Sequence, residues 1–233
     1  MRIELEPLDV ERDVDLLHAW VTHPRSRFWM MQGASVDDVR REYADIVASP
    51  HHDAWLGRVG DGPWAADGPG GGAGPGAADG PGAADGAGGG AGPGAADGAG
   101  GGAGPWAANN RAFLAETYDP AHSALSAVLD VRAGDLGMHV LVAPTDTPVH
   151  GFTTEVFAAV MRHCFALLGH ADEPTARVVV EPDAANTAIH ALNARAGFVV
   201  EGEVQLPDKR ALLSTCTREQ WERSELGAAV VAR

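Results

Sequence analysis

At 233 residues, with 45% hydrophobic residues and 32 acidic against 17 basic side chains, the chain has material for one domain of ordinary size plus an extra segment, at a formal net charge of −15. That acidity argues against nucleic acid and anionic membrane as partners. No charged-then-apolar leader opens the sequence and no apolar run reaches about 18 residues, so neither secretion nor membrane insertion is expected and the cytoplasm is the expected compartment.

Ile3 to Leu8 reads as a first strand. Val14, Leu17, Trp20 and Val21 recur at helical spacing, as do Val36, Val39, Tyr43 and Ile46, the second set opened by Ser35 with Asp38 three residues on as a cap pair. The stretches from Asp53 to Val59 and from Ala112 to Tyr118 are strand-like. Between them, from Gly60 to Asn110, lie most of the glycines. A unit of about 12 residues begins at Pro81 and again at Pro93, with relatives from Pro63 and Pro69. Such a tract has almost nothing to bury, so a flexible loop expanding a hairpin turn is expected. Closure entropy grows only logarithmically with length, so the insertion costs roughly 1–3 kcal/mol. Trp64 and Trp106 close its ends, either packing on each other or standing there as incidental repeat copies. The run from Asp119 to Gly134 reads as an irregular connection.

Met138 to Ala143, stopped by Pro144, and Ala176 to Val180, followed by Pro182, have strand length and the continuous apolar character of buried parallel strands. Phe152, Val156, Val160, Cys164 and Leu167 mark a helix between them, with Gly151, Thr153 and Thr154 at its start. Asn186 and Thr187 open another, with Ile189, Leu192 and Ala196 as its apolar face and Gly197 as its stop. A parallel β-α-β crossover of this kind presents free N–H groups and a positive dipole end where an anion can sit. Val199 to Leu206 and Ala211 to Thr215 read as antiparallel strands, and Thr217 with Glu219 opens a last helix. The fold class is therefore mixed α/β, with a domain over residues 1–218 and a C-terminal tail over 219–233. Cys164 and Cys216 have no companions at metal spacing and read as buried reduced thiols. His51, His52 and Asp53 do not suggest a metal site, because adjacent histidines on a strand face opposite ways and no third ligand is spaced to help.

The series Asn186, Leu192, Asn193, Ala196, Gly197, Phe198 resembles the second conserved block of the GNAT acyl-CoA N-acyltransferases, and Val140 to Val160 stands where their cofactor-binding block lies. Further blocks resemble the siderophore-biosynthesis branch: Leu17 to Trp20, Pro24 to Met30, Phe113 to Pro120, Gly137 to His139, Pro148 to Thr153, Glu181 to Asp183 and Lys209 to Leu213. Within that branch the likeness is to desferrioxamine-type enzymes that acylate N-hydroxycadaverine. It covers residues 2–59 and 111–218.

The resemblance implies a GNAT fold and an enzyme that transfers an acyl group from acetyl- or succinyl-CoA to an N-hydroxylated diamine, making the hydroxamate unit of a siderophore. Its partners would be the hydroxylamine and acyl-CoA, with a functional link to other enzymes of that pathway and no metal. N6-hydroxylysine is the rival acceptor, its carboxylate answered by Arg25, Arg27, Lys209 or Arg210. A catalytically silent acyl-CoA-binding module and a glycine-rich surface protein are the alternatives from other classes.

Family roles map onto His139 and Asp183 as the catalytic pair, although Asp183 is equally explained as a cap before Thr187. A hydroxylamine nitrogen arrives largely neutral, so the base must take its proton during attack. The thioester carbonyl would be polarised by backbone N–H groups around Val140, Leu141 and Val142. The pyrophosphate would rest on the loop bearing His150, Gly151, Thr153 and Thr154, with Asn186 either on the pantetheine arm or capping its helix. Two departures from the wider family stand out: Pro148 and Thr153 replace the usual residues of the phosphate loop, and Asn193 stands where many members carry a tyrosine that protonates the leaving thiolate. On the acceptor side, His18, Trp20, Trp29 and Met30 would line an apolar slot while Glu116, Tyr118 or Asp119 meets a terminal ammonium. Core packing is the competing account of Trp20 and Phe28.

Overall fold

The computed structural model describes residues 2–60, 110–146 and 148–231. The repeat-bearing tract with Trp64 and Trp106 lies outside the described residues.

Seven strands form one sheet: β1 (Ile3–Pro7), β2 (His52–Val59), β3 (Arg111–Tyr118), β4 (Asp135–Val142), β5 (Arg177–Val180), β6 (Val199–Gln205) and β7 (Arg210–Thr217), in the order β1-β2-β3-β4-β5-β7-β6. Among the described strands only β4 and β5 run parallel, as the apolar runs of Met138–Ala143 and Ala176–Val180 led one to expect. Their pairing is short. It joins Asp135, Gly137 and the residue between them to Arg177–Val179 and then stops, whereas β4 continues beside β3 as far as Val142. The two central strands therefore part after Gly137, and a gap opens in mid-sheet.

Helices α1 (Val10–Val21) and α2 (Val36–Ala48) cover one face of β2 and β3, burying Leu17, Val21, Val39 and Tyr43 on Leu56 and Leu114. Ser35 and Asp38 form the expected capping box. Asp13, fully buried on α1, is held by Arg111 at 2.5 Å, an ion pair that pins this helix to β3. On the other face α3 (Phe152–Cys164) buries Phe152, Val156, Val160 and Cys164 on β3, β4 and β5. The shorter α4 (Thr187–Arg195) stops at Gly197, whose φ of +89° suits glycine.

One local expectation changes. The last capping box pairs Thr217 with Gln220 rather than Glu219, because the reciprocal bond needs the third residue into the helix. From residue 218 the chain continues as two short helices, α5 (Arg218–Arg223) and α6 (Glu225–Val231), which place Trp221 and Leu226 in the main core. The connection from Asp119 to Gly134 holds two short 3-10 turns, Pro120–His122 and Ala124–Ala127.

Candidate active site

The parting of β4 and β5 leaves a cavity of about 690 Å3, walled by β3, β4, the chain after β5, α4 and the 3-10 turn Pro24–Trp29. His139 stands at its centre. Cross-strand pairing sets it opposite Glu116, and its Nδ1 lies 3.0 Å from Glu116 Oε2. Nε2 lies 2.6 Å from Glu181 Oε1, just past the end of β5. The other oxygen of Glu181 accepts a 2.6 Å bond from the Tyr118 hydroxyl, and Lys209 Nζ lies 3.6 Å from Oε1. His52 stands 3.7 Å from Glu116, and Trp29 sits edge-on to the His139 ring while its indole N–H donates to the Tyr43 hydroxyl at 3.0 Å.

With a carboxylate at each ring nitrogen, His139 satisfies both only as imidazolium, since a neutral ring has a single N–H. Burial opposes that charge, but Glu181 and Glu116 outweigh it and push the imidazole up to about 10. Burial would likewise raise the two acids, yet the facing imidazole dominates and brings each down to about 2, helped by His52 at Glu116 and by Lys209 and Tyr118 at Glu181. Tyr118 and Tyr43 are pushed well above the usual phenol range, by burial and by the nearby carboxylates. The resting site is thus an ion-paired cluster, with His139 already carrying the proton that a base would be asked to accept.

Cluster residues reach one another through sheet geometry that sequence spacing does not display. Glu181 was visible only as one letter of a motif, and neither Lys209 nor His52 was marked for this cluster. Tyr118, named for the acceptor, is buried behind the cavity and bonds Glu181 instead. Glu116 does line the cavity, with its charge engaged by His139. His18 lies away from the cavity, its Nε2–H donating to the Ala34 carbonyl at 3.1 Å. Trp29 and Met30 line the cavity, Met30 at the exposed rim with φ of +60°. Asp183 also lines it, but its Oδ1 accepts the Ala185 N–H at 2.7 Å, a turn-forming bond that accounts for an aspartate there without catalysis.

The residues named for the acyl donor surround the other side of the gap. Ala143 N–H bonds back to the Ala112 carbonyl of β3, so by strand alternation Leu141 also turns its N–H to β3, while Val140 and Val142 point theirs toward the gap. Gly151 is the N-cap residue of α3, at φ +77° with no side-chain cap, and exposed Thr153 lies at the open helix end with Thr154 beside it. His150 is exposed next to it. Asn186 occupies the N-cap of α4 yet makes no capping bond, and its amide lines the cavity. Asn193, two turns into the same wall, is 4% exposed with neither amide atom hydrogen-bonded among the described residues, which leaves its amide available to an occupant of the cavity. These open backbone and amide groups fit a thioester and its phosphate-bearing arm.

Known proteins place the chain. The Acetyltransferase (GNAT) domain model matches residues 9–66 and 106–206. An N-hydroxyputrescine acetyltransferase of Acinetobacter baumannii is 32% identical over 107 residues, 46% of this chain and 48% of that protein, so the chain aligns with about half the length of this curated relative. Among solved structures, an uncharacterized protein of Bacillus halodurans superposes with a TM-score of 0.66 at 18% identity, over 95% of this chain and 86% of that one. AAC(6')-Ib, solved in complex with ribostamycin and coenzyme A, superposes at 0.64 and 15% identity, over 96% and 97% of the two chains. Those likenesses concern the fold, while the sequence match flanks the 61–109 segment on both sides and takes in more than half of the chain, so the protein belongs to the GNAT acetyltransferase family.

Proposed function

We propose that the protein is an acyl-CoA-dependent N-acyltransferase whose acceptor is an N-hydroxylated diamine, yielding the hydroxamate unit of a siderophore. The observation that supports this reading is His139, held between Glu116 and Glu181 in a cavity reached by the outward-facing N–H groups of Val140 and Val142. The Acinetobacter baumannii relative is an N-hydroxyputrescine acetyltransferase, which supports the same class of acceptor.

In this reading Val140 or Val142 N–H stabilises the thioester oxygen as charge develops on it, and Asn186 steers the pantetheine arm. The phosphates lie at the open end of α3 beside Gly151, Thr153 and Thr154. An acceptor donating N–H or O–H groups to Glu181 or Glu116 draws that carboxylate away from His139. Losing one of its two anionic partners lowers the imidazole toward neutrality, so the imidazolium releases one proton to solvent and the freed ring nitrogen can then take the proton from the attacking nitrogen. Asn193 cannot supply a proton, but its amide N–H groups can hydrogen-bond the departing thiolate, which is stable enough to leave unprotonated. Asp183 acts only through the turn it closes.

N6-hydroxylysine is the second reading for the acceptor, favoured by Arg25 and Arg27 on the same cavity wall. Incubating the protein with N-hydroxycadaverine, N-hydroxyputrescine or N6-hydroxylysine and either acetyl- or succinyl-CoA, while following thiol release, decides among them. Turnover of the diamines in preference to hydroxylysine is expected. A folded sample that binds acyl-CoA and turns over none of these acceptors overturns the enzyme reading in favour of a silent binding module.

A further inference from the structure

Outside the cavity, the tertiary fold assembles a second group of histidines with a carboxylate. His51 precedes β2, Asp119 follows β3, and His122 lies in the 3-10 turn that Asp119 opens. Their ligand-capable atoms all fall within 4.8 Å of one another. The backbone sets this closeness: Asp119 N–H donates to the His51 carbonyl at 2.9 Å, tying the two strand ends, and His122 N–H donates to the Asp119 carbonyl at 3.0 Å. The His51 and His122 rings stack with centroids 3.5 Å apart, and His122 Nε2 lies 3.8 Å from Asp119 Oδ2. A third imidazole, His170, comes from far along the chain to place Nδ1 3.0 Å from the same Oδ2.

We propose that His51, Asp119 and His122 form a binding site for a first-row transition dication, zinc being the best fit, separate from the acyl-transfer cavity. Two imidazoles with one carboxylate are a donor set that suits zinc, with water completing a tetrahedral shell. Bonds of about 2.1 Å place tetrahedral ligand atoms about 3.4 Å apart, so the group has to contract by at most about 1.4 Å. His51 is exposed and His122 is 49% exposed, so rotation of these two rings achieves that without moving the core. Rotation also unstacks them, which is required because parallel rings cannot both aim a lone pair at one ion.

His170 then serves as an outer partner, holding the Asp119 carboxylate through Oδ2, the arrangement by which metal sites fix their ligands. Asp119 Oδ1 already accepts the Ala121 N–H at 2.9 Å, so the carboxylate is oriented before any ion arrives. The site is a staple rather than a catalytic centre. His52 and Glu116 line the cavity on one face of β2 and β3, whereas His51 and Asp119 are odd-numbered neighbours that alternate to the other face and do not line it.

Calorimetric titration of the chelator-stripped full chain with zinc chloride tests this. One equivalent bound with micromolar affinity is expected, weakened at least tenfold by His51→Ala and by His122→Ala and unchanged by His23→Ala. Cobalt(II) replacing zinc should give visible d–d absorption of tetrahedral intensity that the same two variants abolish. Circular dichroism confirms that each variant is folded, and His51→Gln and His122→Gln serve if an alanine variant is not. Absence of stoichiometric binding, or one-equivalent binding that the His51 and His122 variants leave intact, overturns the proposal.

Discussion

Both nitrogens of His139 face carboxylates: Nδ1 is 3.0 Å from Glu116 on β3, and Nε2 is 2.6 Å from Glu181 beyond β5. That single ring bridges the gap between two strands whose own hydrogen bonding has ended. Its charge is therefore part of what holds the gap to its width.

A direct consequence is an imidazole that titrates near 10 rather than near the ordinary histidine value of about 6.5. Proton NMR titration of the ligand-free protein should follow it there. Glu181→Gln, which removes one anionic partner, should bring it down by more than one pH unit. A His139 resonance titrating near 6.5 in the unaltered protein would remove the basis for an imidazolium resting state.

Stability should carry the same signature. The raised histidine value means that His139 contributes fully below about 6.5, and that this contribution drains away as pH rises through 10. The depressed acids work in the opposite direction: the contributions of Glu116 and Glu181 are present above about 4.5 and lost as pH falls through 2. Thermal melts should thus show this cluster's stabilisation greatest between those windows, with a decline from pH 7 to 10 that His139→Gln flattens.

Turnover should reflect the proton that must leave. If His139 accepts it, kcat/KM, which reports the free enzyme, rises tenfold per pH unit above neutrality and bends near 10. His139→Ala should lower turnover by roughly two to four decades with acyl-CoA affinity nearly unchanged. A variant that keeps wild-type turnover would exclude this residue as the proton acceptor.

Gly137 tests the cluster from behind. A Cβ there would lie 2.2 Å from the Tyr118 ring, which packs flat on this strand so that its hydroxyl reaches Glu181. Gly137→Ala should cost about 1–3 kcal/mol in urea unfolding, because the ring has to move. It should also shift the His139 titration, through the lost Tyr118 bond, although residue 137 does not itself line the cavity.

Gly151→Ala probes the donor side. The space around Gly151 is open, so the penalty comes from its φ of +77° alone, about 1–2 kcal/mol. Equilibrium binding of acetyl-CoA should weaken several-fold while the His139 titration stays in place. Unaltered binding would argue that the phosphates lie away from this helix end.

The paired ends of β2 and β3 make a further expectation concrete. Arg58 stands opposite Arg111, and Val59 N–H bonds the Asn110 carbonyl, so the chain leaves and re-enters the sheet at one place. Replacing residues 61–109 with a short Asn-Gly turn should leave the melting temperature and the acyl-transfer rate close to those of the full chain. Loss of activity in a folded variant would give that segment a role in the reaction.

Periodicity in the sequence located the long helices because each buries one face and a buried face must repeat at the period of its backbone, while short apolar runs located the central strands. The apolar face of α3 was legible for that reason, as was the Ser35–Asp38 box, whose two partners lie three residues apart, while β2 and β3 showed only as strand-like runs. Gly137 and His139 stood out through the resemblance of their motif to the family's. Their partners did not, because Tyr118, Glu116 and Glu181 meet them through cross-strand register and the parting of β4 from β5, and neither leaves a trace in local spacing. The same holds for His51, Asp119 and His122, which are separated in sequence and joined by two strand ends. Sequence by itself settled the element types and the kind of chemistry available. The tertiary structure alone decided which charges face one another, and hence that His139 rests as a cation, because electrostatic interaction depends on distance through space and on burial.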